Sequence, residues 1–192
     1  MENHDEQFEA VVGERVKALR AERGLTLDQL AELSGVSRAM ISRVERAEAS
    51  PTAALLARIC SALGVSLSVF FATDNAPAMP LVRRDDQPVW RDPETGYLRR
   101  VVAPQGTGAR VDVVEVEFPA GAEVAFEGQQ ASRTQWQHVW QFEGEMELLV
   151  GEDVHTLRPG DCLYMNVGDV HAFRNRTDKP ARYAVIIDLG PR

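Results

Sequence analysis

The sequence predicts a two-part α + β chain, an all-α bundle of about five helices followed by an all-β sandwich or barrel. Three observations predict it. Up to about Phe71 the apolar residues keep a helical period, with Val12, Val16 and Leu19, then Leu30 and Leu33, then Ile41 and Val44, then Leu56, Ile59, Cys60 and Leu63. The stretch ATDNAPAMP, residues 72–80, then loses periodicity and collects linker and turn residues. Beyond it, the segments Arg99–Ala103, Val111–Phe118, Glu145–Val150, Asp161–Met165 and Ala181–Ile187 mix β-branched and aromatic residues between Gly, Pro and Asp. A chain of 192 residues, 44% of them hydrophobic, has apolar material for two small cores. We divide it into a helical domain at 1–73, a linker at 74–80 and a β domain at 81–192.

The N-terminal stretch MENHDEQFEA is acidic and lacks an apolar centre, so no signal peptide is expected there, and no run approaches the roughly 18 apolar residues of a membrane span. A soluble, cytoplasmic protein without a membrane partner is expected. Cys60 and Cys162 lie far apart inside apolar runs and are expected to be buried free thiols of a reducing compartment. The net charge of −8 argues against a chain that coats nucleic acid, so any basic patch must be local.

Such a patch sits in GLTLDQLAELSGVSRAMISRVERAEASP. Thr26 is placed to cap a helix, with Gln29 completing a capping box, and that helix should run to about Ser34. Gly35 supplies the backbone freedom for a sharp turn, Val36 tucks inward, and Ser37 caps a second helix that buries Ile41 and Val44. The pattern is a helix-turn-helix. Opposite its apolar stripe the second helix turns out Arg38, Ala39, Ser42 and Arg43, and residues 37–46 set Arg38, Arg43 and Arg46 against Glu45. Guanidinium groups can make bidentate bonds to guanine O6 and N7, while small side chains let a helix approach the floor of a major groove.

In these residues the chain resembles the phage-repressor-like, XRE-type helix-turn-helix regulators. The resemblance covers about residues 9–71 and rests on the cap, Leu30 and Ala31, Gly35, Ser37, Ile41, Glu45, Pro51 and the closing ALGVSL. It implies that Arg38, Ala39 and Arg43 read bases, and that Ser37, Met40 and Ser42 lie near the sugar–phosphate, with Thr26 and Leu27 at the phosphate-facing start of the first helix. Two residues depart from the pattern. Leu27 stands where many relatives have a phosphate-binding Gln, and Ala47 stands where Gly commonly follows Glu-Arg, which puts the turn after the recognition helix in question. The bland alternative is a helical bundle whose arginines form a solvated face.

The β half resembles a cupin, the small jelly-roll barrel. GDCLYMNVGDVHAFRN supplies Gly160, Gly168, His171 and Asn175 of the pattern G-x5-P-x-G-x2-H-x3-N, with Asn166 at the usual Pro. Counting back from Gly144 places Gln137 at the family's metal-binding Glu, and the two upstream His positions fall among Gln130, Ala131, Ser132 and Arg133. Amides and hydroxyls are poor ligands for a divalent ion. We therefore expect neither metal nor cofactor, unless a slip of one residue turns His138 inward in place of Gln137.

A barrel without its metal still encloses a cavity. Gln137, His171, Trp140, Tyr164 and Arg133 are candidate contacts for a small organic effector, although His171 also fits a plain hydrogen-bonded interior or rim histidine. Trp136, Trp140 and Phe142 repeat at strand spacing, which fits core or dimer packing, and Glu143, Glu145 and Glu147 read as solvated. No nucleophile–base pair stands out. The expected protein is a DNA-binding transcriptional regulator that pairs a double-stranded operator with a small-molecule effector and acts as a homodimer, not an enzyme. A metal-dependent cupin isomerase or oxygenase with a fused head, and an interaction protein whose head binds another protein, stay open.

Overall fold

A computed structural model describes residues 2–65, 67–71, 79–128 and 135–188. Among them five helices precede ten strands. The helices are α1 (Glu2–Glu22), α2 (Leu27–Ser34), α3 (Arg38–Glu45), α4 (Ala53–Ala62) and α5 (Leu67–Phe71). Residues 72–78, most of the expected linker, lie outside the described residues.

The local signals around the turn act as read. Thr26 Oγ1 accepts the backbone N–H of Gln29 and the Gln29 side chain answers to the backbone of Thr26, so two unsatisfied helix-end donors are paired. Gly35 takes φ 64°, a left-handed value that favours glycine, and Ser37 Oγ accepts the N–H of Met40. Leu33 departs from the expected stripe and is exposed, because α2 buries Leu30 and, one turn on, Ser34. Ser34 tolerates burial by donating to Leu30 O and accepting the N–H of Val36.

Long-range contacts orient α3. A Cβ at Gly13 of α1 would stand 2.4 Å from Val44 O, so only glycine allows this approach of the two helices. Beside it, Arg20 grips Glu45 through two bonds of 2.6 and 2.9 Å, and it donates a further bond to Leu25 O. Ala47 adopts φ 54°, so the turn after α3 keeps its left-handed geometry although no glycine stands there. An L-residue takes that conformation at a cost of about 1 kcal/mol.

The strands are β1 (Val89–Arg91), β2 (Leu98–Val101), β3 (Val111–Phe118), β4 (Glu123–Phe126), β5 (Trp136–Glu143), β6 (Met146–Val150), β7 (Asp153–Leu157), β8 (Cys162–Asn166), β9 (His171–Arg174) and β10 (Ala181–Asp188). They form two antiparallel sheets, one in the order β1-β2-β3-β10-β5-β8 and one in the order β4-β9-β6-β7. Cys60 is buried in α4, but Cys162 is exposed, against the expectation for both thiols. Strand alternation is the reason, since Met165 faces inward and residues 162 and 164 therefore face out.

Helices and strands share one buried cluster that runs from Val16 and Leu56 to Val114 and Tyr183. The seam carries one polar clasp. Asp92, after β1, accepts the N–H of Ala53 at 2.7 Å with one carboxylate oxygen, and its other oxygen accepts both the N–H and the hydroxyl of Thr95. Asp92 is thereby a cap supplied to α4 by the β half. Apolar contacts continue the seam, with the rings of Phe71 and Trp90 at 5.7 Å and those of Trp90 and Tyr97 edge to face at 5.7 Å.

Candidate DNA-reading face and ligand cavity

On α3, Ile41 and Val44 are buried while Arg38, Ala39 and Arg43 are exposed, with Ser42 half-buried. Glu45 carries the one acidic charge of this helix, and Arg20 neutralises it internally, so the outward face is more basic than the sequence tally. Arg38 rests on Asp28 of α2 at 3.1 Å, both well exposed, and Arg43 donates to Glu48 O at 3.2 Å. An exposed ion pair is worth about 0–1 kcal/mol, so a phosphate or base can displace Asp28 at little cost. Arg46, further along, pairs with Glu48 at 2.7 Å.

The remaining residues assigned to this face divide by surroundings. Ser37 is exposed, and Met40 is half-buried against the core. Leu27 packs against the core as well, and the N–H groups at the start of α2 are what that corner offers an anion. The Thr26 hydroxyl already serves its cap.

Between the two sheets lies a cavity of about 70 Å3, room for about five waters. Gln137 and His171 line it. Trp140 and Tyr164 do not, and their assignment to the cavity is corrected: both are exposed on the outer face of β5 and β8. Residues 137 and 140 have opposite parity on a strand, so a wall that includes one turns the other away. Trp136 shares the outer face and stacks on Tyr164 with centroids 4.9 Å apart. Arg133 lies outside the described residues.

His171 is 7% exposed, stacks on Phe126 at 5.0 Å and sits with Nδ1 2.7 Å from Asp169 O. A carbonyl oxygen only accepts, so Nδ1 carries the proton and Nε2 is left as an acceptor. Burial pushes the imidazole below the usual histidine range against the opposing pull of the Asp169 carbonyl, which favours the neutral ring. His138 points out and packs on Tyr164 at 4.7 Å, so the alternative register that would bring it inward does not occur. Among the described residues no three His, Cys, Asp or Glu side chains cluster as metal ligands. With Gln137 at the Glu position, the donor set does not fit the metal that cupins commonly hold.

The other motif residues are structural. Asn175 Nδ2 donates to Lys179 O at 2.8 Å, and its Oδ1 accepts from the Thr177 N–H and hydroxyl, which ties the loop between β9 and β10. Asn166, at the usual proline, holds its turn through a 2.8 Å bond from the Gly168 N–H.

Sequence reasoning missed four polar residues of the cavity: Tyr97, Arg99, Gln135 and Tyr183. Arg99 is buried and lies over the Phe71 ring at 5.8 Å. The signal was parity, since 97, 99 and 101 alternate inward and Gln135 shares a face with Gln137. Two lining residues come from the helical half, Ala57 of α4 and Leu67 of α5. No helix among the described residues is long and apolar enough to cross a membrane.

Known proteins agree with both halves. A helix-turn-helix family model matches residues 16–70, and a cupin-domain model matches residues 114–187. The chain is 27% identical to the HTH-type transcriptional regulator SutR of Escherichia coli K12 over 172 residues, covering 90% of this chain and 91% of that protein. It is 37% identical over 68 residues to the uncharacterized HTH-type transcriptional regulator y4dJ of Sinorhizobium fredii, covering 35% of this chain and 88% of that protein. A crystal structure of an HTH_3 family transcriptional regulator from Vibrio cholerae superposes with a TM-score of 0.77 at 26% identity, over 98% of this chain and 99% of that one.

Proposed function

Because the chain belongs to the helix-turn-helix transcriptional regulators and carries a cupin domain behind its head, we propose that α3 reads a DNA operator while the cavity holds a small-molecule effector. The observation that carries the DNA half is the outward placement of Arg38, Ala39 and Arg43 on a capped helix whose acidic residue is neutralised from behind. Ser37, Met40, Ser42, Thr26 and Leu27 border the phosphates. Gln137 and His171 contact the effector inside a jelly roll formed by the two sheets. We read the cavity as a sensor's, a reading supported by the transcriptional regulators to which the chain is similar along most of its length.

An operator selected from a random DNA pool provides the test. Arg43→Ala should weaken binding by about 1–3 kcal/mol and relax the preference at one base position, and affinity should fall steeply with salt as counterions are released. Unchanged sequence preference in the variant would refute the assignment of α3.

One recognition helix reads few base pairs, so a homodimer with heads about 34–36 Å apart completes the proposal. The exposed strip of Trp136, Trp140 and Tyr164 on β5 and β8 supports packing of a second copy there. Sedimentation of Trp140→Glu should then report a monomer where the parent protein is a dimer, and an undisturbed dimer would move the contact elsewhere.

A further inference from the structure

The chain folds back on α3 just past its end. Ala47, in its left-handed conformation, closes the helix with its own N–H on Val44 O at 3.0 Å and the Glu48 N–H on Arg43 O at 2.8 Å, a helix-ending pattern that fixes where the Glu48 side chain starts. From there Glu48 meets two arginines in different ways. Its carbonyl accepts Arg43 Nη2 at 3.2 Å, a bond that tethers the guanidinium without cancelling its charge. Its carboxylate takes Arg46 in a fork, Nε on Oε1 and Nη2 on Oε2, both at 2.7 Å. The third nitrogen, Arg46 Nη1, donates to the Ser42 hydroxyl, so every nitrogen of this guanidinium is engaged. Arg38 is held more loosely, by the well-exposed Asp28 at 3.1 Å. Hydrogen bonding from Arg46 keeps the Glu48 carboxyl below the usual carboxylate range, with the charge of Arg43 adding to the effect, so the acid is ionised at neutral pH.

A carboxylate fork and a phosphate compete for the same guanidinium hydrogens. An exposed ion pair is ordinarily weak, but a two-point fork with a third bond behind it is the geometry that resists exchange. Arg46 is thereby withdrawn from the cations that this end of α3 can offer to phosphates, whereas Arg43 keeps its charge. The distinction matters because phosphate contacts supply nearly all of a protein's affinity for DNA of arbitrary sequence and only part of its affinity for a chosen site. Selectivity is the ratio of the two, and it improves when the first is held down. We propose that Glu48 is a specificity-determining residue that acts as an internal phosphate mimic, masking Arg46 so that the head grips arbitrary DNA less. This rests on the reading of α3 as the recognition helix.

The test is titration of the full chain with the selected operator and with a scrambled duplex of the same length and composition, each across a salt series. Glu48→Gln keeps the side-chain length and removes the charge that holds Arg46. Both side chains are about half exposed, so neither change empties the core. Affinity of Glu48→Gln for the scrambled duplex should rise about five- to tenfold at about 0.1 M salt, with the plot of log K against log salt steeper by about 0.9, the share of one added phosphate contact. Operator affinity should gain less, and the ratio should fall. Arg46→Ala alone should leave the parental slope unchanged, and Glu48→Gln combined with Arg46→Ala should return to it. A shallower slope for Arg46→Ala means that Arg46 already reaches a phosphate, and a gain that survives in the double variant means that the Glu48 charge simply repels DNA; either result overturns the masking. So does a Glu48→Gln protein that binds the scrambled duplex like the parent, while the assignment of α3 stands as long as Arg43→Ala relaxes a base preference. A selected pool without sequence preference overturns both.

Discussion

The reading face of α3 and the cavity between the sheets are built in opposite ways. α3 presents its outward side chains from eight consecutive residues, and the caps that start it lie within three positions of the residues they serve. The cavity draws its wall from both sheets and from two helices, with no pair of its polar residues closer in sequence than Tyr97 and Arg99 or Gln135 and Gln137. A helix face follows from a period along the chain, whereas a cavity follows from which strands become neighbours. β10 lies between β3 and β5, and β9 between β4 and β6, pairings that sequence order does not suggest. The contrast teaches that local capping specifies where a reading helix begins and ends, while its direction still comes from distant residues, Gly13 and Arg20.

The largest expected effect tests that last point. Glu45→Ala leaves Arg20 without its carboxylate in a half-buried site, and thermal or urea unfolding should show a loss of about 3 kcal/mol with operator affinity falling in parallel. Full retention of stability would mean that α3 is held by its own caps, and the contrast between the two regions would sharpen beyond what is claimed. Next is the seam. Asp92→Ala strands the N–H groups of Ala53 and Thr95, at a cost of about 2 kcal/mol, and should speed proteolysis between the halves; Asp92→Asn, which keeps one acceptor oxygen, should recover part of it. Equal behaviour of the two variants would show that the clasp does not depend on hydrogen bonding. The smallest effect has the opposite sign. Ala47→Gly relieves the left-handed alanine and should raise stability by about 1 kcal/mol, and a loss instead would show that the Ala47 methyl packs more than its backbone strains.

The helix-turn-helix was legible because every signal it needs is short-range: Thr26 with Gln29, Gly35 at the turn, Ser37 with Met40, and a stripe of Ile41 and Val44. The same short-range reasoning missed β1, three residues long, β4 and β9, four each, and β7, whose DVHTL sets Asp, His and Thr among only two apolar residues. It also put Trp140 beside Gln137, although their spacing gives them opposite faces.

By itself, then, the sequence determined the helical half, its turn, the outward arginines and the change to strands, along with the lack of carboxylate or imidazole at three of the four expected metal positions, His171 filling the fourth. These are properties of residue type and local period, and they need no knowledge of the remainder of the chain. Only the tertiary structure decided that the Arg99 face of its strand lines the cavity, that Cys162 is exposed, that His138 faces away from the cavity that His171 lines, and that Asp92 caps a helix of the other half. The physical reason is burial: a side chain's environment is fixed by which sheet face its strand presents and by what packs over that face, and both are settled by pairings between distant segments.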